Sequence, residues 1–196
     1  LVAVGDVVPG LYIQTEEAAN ALADYLKTNN RLDVMVAVTV GNSQLARKIK
    51  VELPSIQCIV DFSDTERAMS REELGYVVEI TNAAGARIAL VSSETATQEA
   101  VKYLQSRLIT VWVRIDDDLA VTLSMITNGV NGLMVRDTIA ARSTAELLTA
   151  DIPVLLRQPL IIGHRGLPSE FVENTLRSEQ AAVDAGADLL EYDIYL

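Results

Sequence analysis

Histidine, cysteine and tryptophan each occur once in these 196 residues, at His164, Cys58 and Trp112, and aromatic residues of all kinds make up 5%. One cysteine excludes an internal disulfide, and its apolar setting between Ile56 and Val60 reads as a buried core thiol. With so few aromatics, the core must be built from Val, Ile, Leu and Ala, which suits the buried parallel strands of α/β folds. Basic residues are outnumbered, 16 against 27 acidic, for a formal charge of −11. They are scattered, so no patch exists to meet a nucleic-acid backbone, and nucleic acid is excluded as a partner. No apolar run approaches the ~18 residues that span a bilayer, so no transmembrane segment is expected. No signal peptide is present either. Leu1 and Leu196 both look like processing boundaries, however, so a signal or anchor outside the fragment leaves the compartment undetermined.

What is present is an alternation of strand-like and helix-like segments. Strands are expected at Asp33–Val40, Ile56–Phe62, Arg87–Val91, Ile109–Ile115, Gly132–Val135, Leu160–Ile162 and Ala187–Ile194. Helical periodicity marks Glu16–Lys27, with Thr15 as N-cap, and Thr97–Arg107. Ser143 and Glu146 have capping-box spacing, and Asn174–Ala185 runs into Gly186 as a C-cap. Asp116–Asp118 reads as a solvated loop capping a helix near Leu119, and Gly129–Gly132 as a turn entering a strand. Trp112 is expected to pack in the core or at a rim. Repeats of about 25 residues favour a parallel sheet with helices outside. Between an open doubly wound sheet and a (β/α) TIM-type barrel, the barrel is preferred. Complete barrels take about 250 residues, so this one is partial or permuted. The clearest junction lies around Asp151–Pro159, dividing 1–157 from 158–196.

The informative stretch begins at Leu160. A short strand delivers His164, Arg165 and Gly166, a loop carries Glu173 and Asn174 into a helix, and a second strand presents Glu191 and Asp193. In a βα barrel the C-terminal strand ends form one rim, where these groups would converge. Glu191 and Asp193 are two apart on a strand and face one side, the arrangement of oxygen ligands a divalent cation needs. Alone, a single histidine reads as structural and two strand-end carboxylates as a polar edge. In this order and spacing they read as a site.

The pattern resembles the opening of the glycerophosphodiester phosphodiesterase family, carried by His164-Arg165-Gly166, Glu173-Asn174-Thr175, Gly186-Ala187-Asp188 and Glu191-Tyr192-Asp193. The likeness covers about 36 residues by sequence spacing and departs at Val172, where the family usually has proline, a change of loop stiffness. The resemblance implies a hydrolase of lipid and glycerol metabolism acting on a small-molecule phosphodiester and releasing an alcohol and glycerol phosphate. By resemblance, His164 is one of two histidines acting as general acid and base, and Arg165 holds the phosphate. Glu191 and Asp193 bind Ca²⁺ or Mg²⁺, Glu173 supports the metal or the loop, and Asn174 is a supporting residue. The family's second histidine follows its third strand and a further acidic ligand its fourth. His164 is the sole histidine here, so the isolated fragment is expected to be inactive.

Residues 33–150 resemble the family's late strands more weakly, through TVWVRIDDD and GVNGLMVRDTIAA. Two arrangements stand. Either the back of one barrel precedes the front of another, or the order is permuted and both groups form one seven-stranded, barrel-like body. Two further readings of function also stand: a non-catalytic, degenerate barrel acting as an interaction or scaffolding module, and another phosphate-handling barrel of phosphoinositide phospholipase or sphingomyelinase type. Exposed strand edges would favour a homo-oligomer.

Overall fold

A computed structural model of the chain describes residues 10–29, 37–40, 42–116, 118–149, 161–187, 189–191 and 193. The chain divides into two compact units, Leu1–Leu156 and Arg157–Leu196.

The first unit alternates strand and helix throughout: β1 (Gly10–Tyr12), α1 (Glu16–Thr28), β2 (Ala37–Val40), α2 (Ser43–Glu52), β3 (Gln57–Asp61), α3 (Arg71–Ala83), β4 (Ile88–Ser92), α4 (Gln98–Gln105), β5 (Thr110–Arg114), α5 (Leu119–Thr127), β6 (Gly132–Met134) and α6 (Thr138–Thr149). Its six strands lie side by side in chain order, and every pair is parallel. A doubly wound sheet reverses its strand order at a switch point. This sheet never does, so it is wound in one sense, as in a TIM-type barrel.

Alternation along the strands separates two faces. Cys58 and Val60 of β3, Ala89 and Val91 of β4, and Val111 and Val113 of β5 are buried in clusters with helix residues such as Ile49, Leu74, Val77, Val101 and Leu104. The opposite face carries Ile59 level with Ile88, then Asp61 level with Leu90 and Trp112, then Ser92 beside Arg114 toward the strand ends, as the register shows. Trp112 is half-buried and lies across its register partner Gly132, where an added Cβ would sit 2.9 Å from the indole. Burial pushes the Cys58 thiol up to about 11, consistent with a core thiol rather than a reactive one.

The expected strands correspond to β2 through β8, with ends shifted by a residue or two. Residues 33–36, the junction at 151–159, Leu160, Asp188, Tyr192 and Ile194 lie outside the described residues. β1 was not anticipated, since three residues with a leading glycine give no alternation to read. Ser143 does not begin a helix. α6 starts at Thr138, and Asp137 caps it, its Oδ1 accepting from the Ala140 amide at 2.9 Å. The capping box sits instead at Ser70 and Glu73, heading α3. Asp118 caps α5 as expected, accepting from Val121 N at 2.9 Å.

The second unit contains β7 (Ile162–His164), α7 (Leu176–Asp184) and β8 (Leu189–Glu191), with the two strands parallel. Thr175 caps α7 at its start, and Gly186 follows its end at φ 94°, the left-handed position that glycine fills without strain.

Candidate functional site

β7 ends at His164 beside Glu191, its register partner at the end of β8. The His164 Nε2 lies 3.7 Å from the Glu191 carboxylate, and both side chains are well exposed. The backbone of Arg165 continues the pairing, its amide donating to the Glu191 carbonyl at 2.7 Å. Arg165 then turns into the left-handed region at φ 58°, which an ordinary side chain adopts only at a cost. That turn brings its guanidinium between two carboxylates. Nη1 donates to Glu173 Oε1 at 3.0 Å, and Nε lies 3.0 Å from Asp193 Oδ2. The second contact is an ion pair without hydrogen-bond alignment, and both of its atoms are shielded from solvent.

The loop holding this turn is fixed by polar contacts. The Arg165 carbonyl accepts from Asn174 N at 3.1 Å and from Ser178 Oγ at 3.2 Å. Asn174, itself at φ 56°, accepts the Asp193 amide on its Oδ1 at 3.0 Å. Asn174 thus ties the turn after β7 to the chain beyond β8. Ser178 is wholly buried and also accepts from Leu167 N on its Oγ at 2.8 Å. Gly166 allows this approach. At φ 87°, a Cβ there would lie 2.4 Å from Ser178 Oγ and 2.6 Å from the Ser178 carbonyl carbon. Ser178 was missed in the sequence. Its only signal is its place at the third position after the Thr175 cap, on the helix face that Gly166 meets. Val172, the departure from the family pattern, is exposed and lends its carbonyl to Thr175 Oγ1 at 2.7 Å.

The expected residues His164, Arg165, Glu173, Asn174, Glu191 and Asp193 therefore lie at the C-terminal ends of β7 and β8 and in the loop between them. Asp193 falls just past β8, which ends at Glu191.

Residues 164–196 match the model of the glycerophosphoryl diester phosphodiesterase family. No curated protein matches the chain. Among solved structures, a Silicibacter pomeroyi protein provisionally named as a glycerophosphoryl diester phosphodiesterase is similar at 12% identity and TM-score 0.56 over 70% of this chain. The chain spans 50% of that structure. An aldolase designated QR15 is similar at 10% identity and TM-score 0.52, covering 97% of this chain and 91% of its own. Likeness at these identities speaks for the fold, which is α/β with parallel strands of the TIM-barrel type.

The family segment fits a hard divalent cation in the chemistry of its donors. Glu191, Asp193 and Glu173 offer carboxylate oxygens alone, and Asp193 Oδ2, ion-paired to Arg165, is a buried oxygen on which no hydrogen-bond donor is aligned among the described residues. The fit is partial. Among the described residues, no group of three or more His, Cys, Asp or Glu side chains converges closely enough to hold a metal.

Proposed function

We propose that the protein bearing this segment is a metal-dependent phosphodiesterase that hydrolyses glycerophosphodiesters to an alcohol and glycerol phosphate. The observation that carries this reading is the gathering of an imidazole, a guanidinium and two carboxylates at the same ends of adjacent parallel strands. Its placement agrees with the family match over residues 164–196.

Each group has a role its chemistry suits. Arg165 binds the phosphate oxygens, for which its planar fork is shaped. Glu173 and Asp193 hold the guanidinium ready until the anion takes their place. Glu191 and Asp193, supported by Glu173, hold Ca²⁺ or Mg²⁺. The bound cation would supply charge neutralisation at the phosphate. His164, exposed beside Glu191, moves a proton at Nε2. Asn174 keeps the two strand ends in register and is a positioning residue.

The test is hydrolysis of a glycerophosphodiester by the full-length protein. His164→Ala and Glu191→Ala are each expected to lower turnover by about 10²-fold or more, the usual worth of a positioned acid or base, with circular dichroism unchanged. Unchanged turnover in both variants refutes the roles.

A second reading is favoured by one observation: the described residues hold no three-ligand cluster. On that reading the segment is a degenerate barrel piece that serves as an interaction or scaffolding module. Cation binding that depends on Glu191 and Asp193 separates the two, since a scaffold has no use for it.

A further inference from the structure

A second polar cluster occupies the first unit and shares no residue with the candidate site described above. Tyr12 ends β1, Asp61 ends β3 and Arg114 ends β5. The register places these positions on the face opposite the helix-packed core. They sit at the C-terminal ends of alternate strands, the end where TIM-type sheets receive ligands.

Asp61 is the centre. Its side chain is only 4% exposed, and both oxygens are fully engaged. Oδ1 accepts from Ser63 N at 2.8 Å and Ser63 Oγ at 2.6 Å. Oδ2 accepts from Arg114 Nη2 at 2.8 Å and from the Tyr12 hydroxyl at 3.2 Å. The two donors to Oδ2, in contrast, face outward: Arg114 is 42% exposed on its side chain and Tyr12 48% overall. Here a buried carboxylate anchors one edge of a guanidinium and leaves the rest at the mouth of the sheet. Among the described residues, the acidic neighbour of the other edge is Asp64, at 3.9 Å and fully exposed, an ion pair that solvent weakens. Trp112 lies two residues before Arg114 on the same face of β5.

We propose that the ends of β1, β3 and β5 form a binding site for a small oxyanion, a phosphate or carboxylate group, received by Arg114 on a base fixed by Asp61 and walled by Tyr12. Asp61 orients the fork, and the fork's remaining donors match the oxygens of either group. The shared chemistry is the oxyanion.

Trp112 is the chain's one tryptophan, so its fluorescence reports on this place. Inorganic phosphate and acetate, titrated separately at constant ionic strength, are expected to give a saturable change with at least one of them, half-saturating on the order of 1 mM. A response to phosphate alone assigns the site to phosphate groups, and a response to acetate alone assigns it to carboxylates. Equal responses define a general oxyanion site. Arg114→Lys keeps the charge beside Asp61 but loses the fork, and is expected to weaken binding at least about fivefold. Asp64→Asn removes the competing anion and is expected to tighten it about twofold. Arg165→Gln leaves the Trp112 response in place if the anion sits on Arg114. The proposal is overturned by the absence of a saturable response to both anions. It is equally overturned if Arg114→Lys and Asp64→Asn both leave half-saturation unmoved, or if Arg165→Gln abolishes the response.

Discussion

The two units hold their shape by different means. The first packs aliphatic side chains from β3, β4 and β5 against α2, α3 and α4, and Leu90, Val91, Val111 and Val113 have no measurable exposure. The second buries one apolar side chain among its described residues, Ala182, together with the hydroxyl of Ser178. Its turn is set by Arg165, Gly166 and Asn174, all at positive φ, and by hydrogen bonds and ion pairs. Burial of aliphatic surface is non-directional and tolerates small shifts. A polar turn of this kind fixes atoms more narrowly, at the cost of strain and of exposed, charged groups. The first arrangement suits a rigid framework, and the second suits the placing of polar groups.

The contrast can be broken from either side. The largest effect is expected from Leu90→Ala in the first unit, where a fully buried side chain leaves a cavity and costs about 2–5 kcal/mol. Urea unfolding followed by Trp112 fluorescence measures it, and a cost under 1 kcal/mol would show that the core is less tightly packed than the structure has it. Gly166→Ala is expected to cost the second unit about 1–3 kcal/mol through its left-handed backbone alone, with the clash against Ser178 added. Faster hydrogen exchange at the Leu167 amide, which Ser178 holds, is the signature. Full protection there would deny that the turn depends on glycine.

The smallest effect is a pH dependence in the first unit. The side-chain hydrogen bond from Arg67, followed by the Ser70 backbone and hydroxyl, draws the Glu73 carboxyl from its ordinary 4.5 down to about 2. A carboxyl lowered in the folded state stabilises it above about 4.5, and that contribution fades as pH falls toward about 2. Glu73→Gln should therefore flatten the acid limb of thermal stability between those values and leave its slope near neutral pH unchanged. An identical acid limb in the variant contradicts the assignment.

Much of the fold was legible because the aliphatic runs that make buried parallel strands are conspicuous in a chain so poor in aromatics. Val111, Val113 and Trp112 announce β5, and the apolar run around Cys58 announces β3. β1 was not legible, since three residues carry no period, and the start of α6 was misplaced because Ser143 mimics a cap inside a helix that Asp137 begins. At the candidate site, His164, Arg165, Glu191 and Asp193 were legible from spacing. Their support was not. Ser178 matters only because Gly166 brings a backbone turn against it. The ion pairs of Arg165 with Glu173 and Asp193 likewise depend on a positive φ that the sequence does not show. The Tyr12, Asp61 and Arg114 cluster joins residues about fifty positions apart, by separations of 49 and 53, and only the strand register brings them together.

Because His164 is the only histidine, its imidazole gives a single Hε1 signal in a nuclear magnetic resonance spectrum of the chain. Added Ca²⁺ or Mg²⁺ is expected to shift that signal saturably, and Glu191→Gln to abolish the shift. A signal that neither cation moves, or that moves equally in Glu191→Gln, would contradict a shared cation site at the ends of β7 and β8.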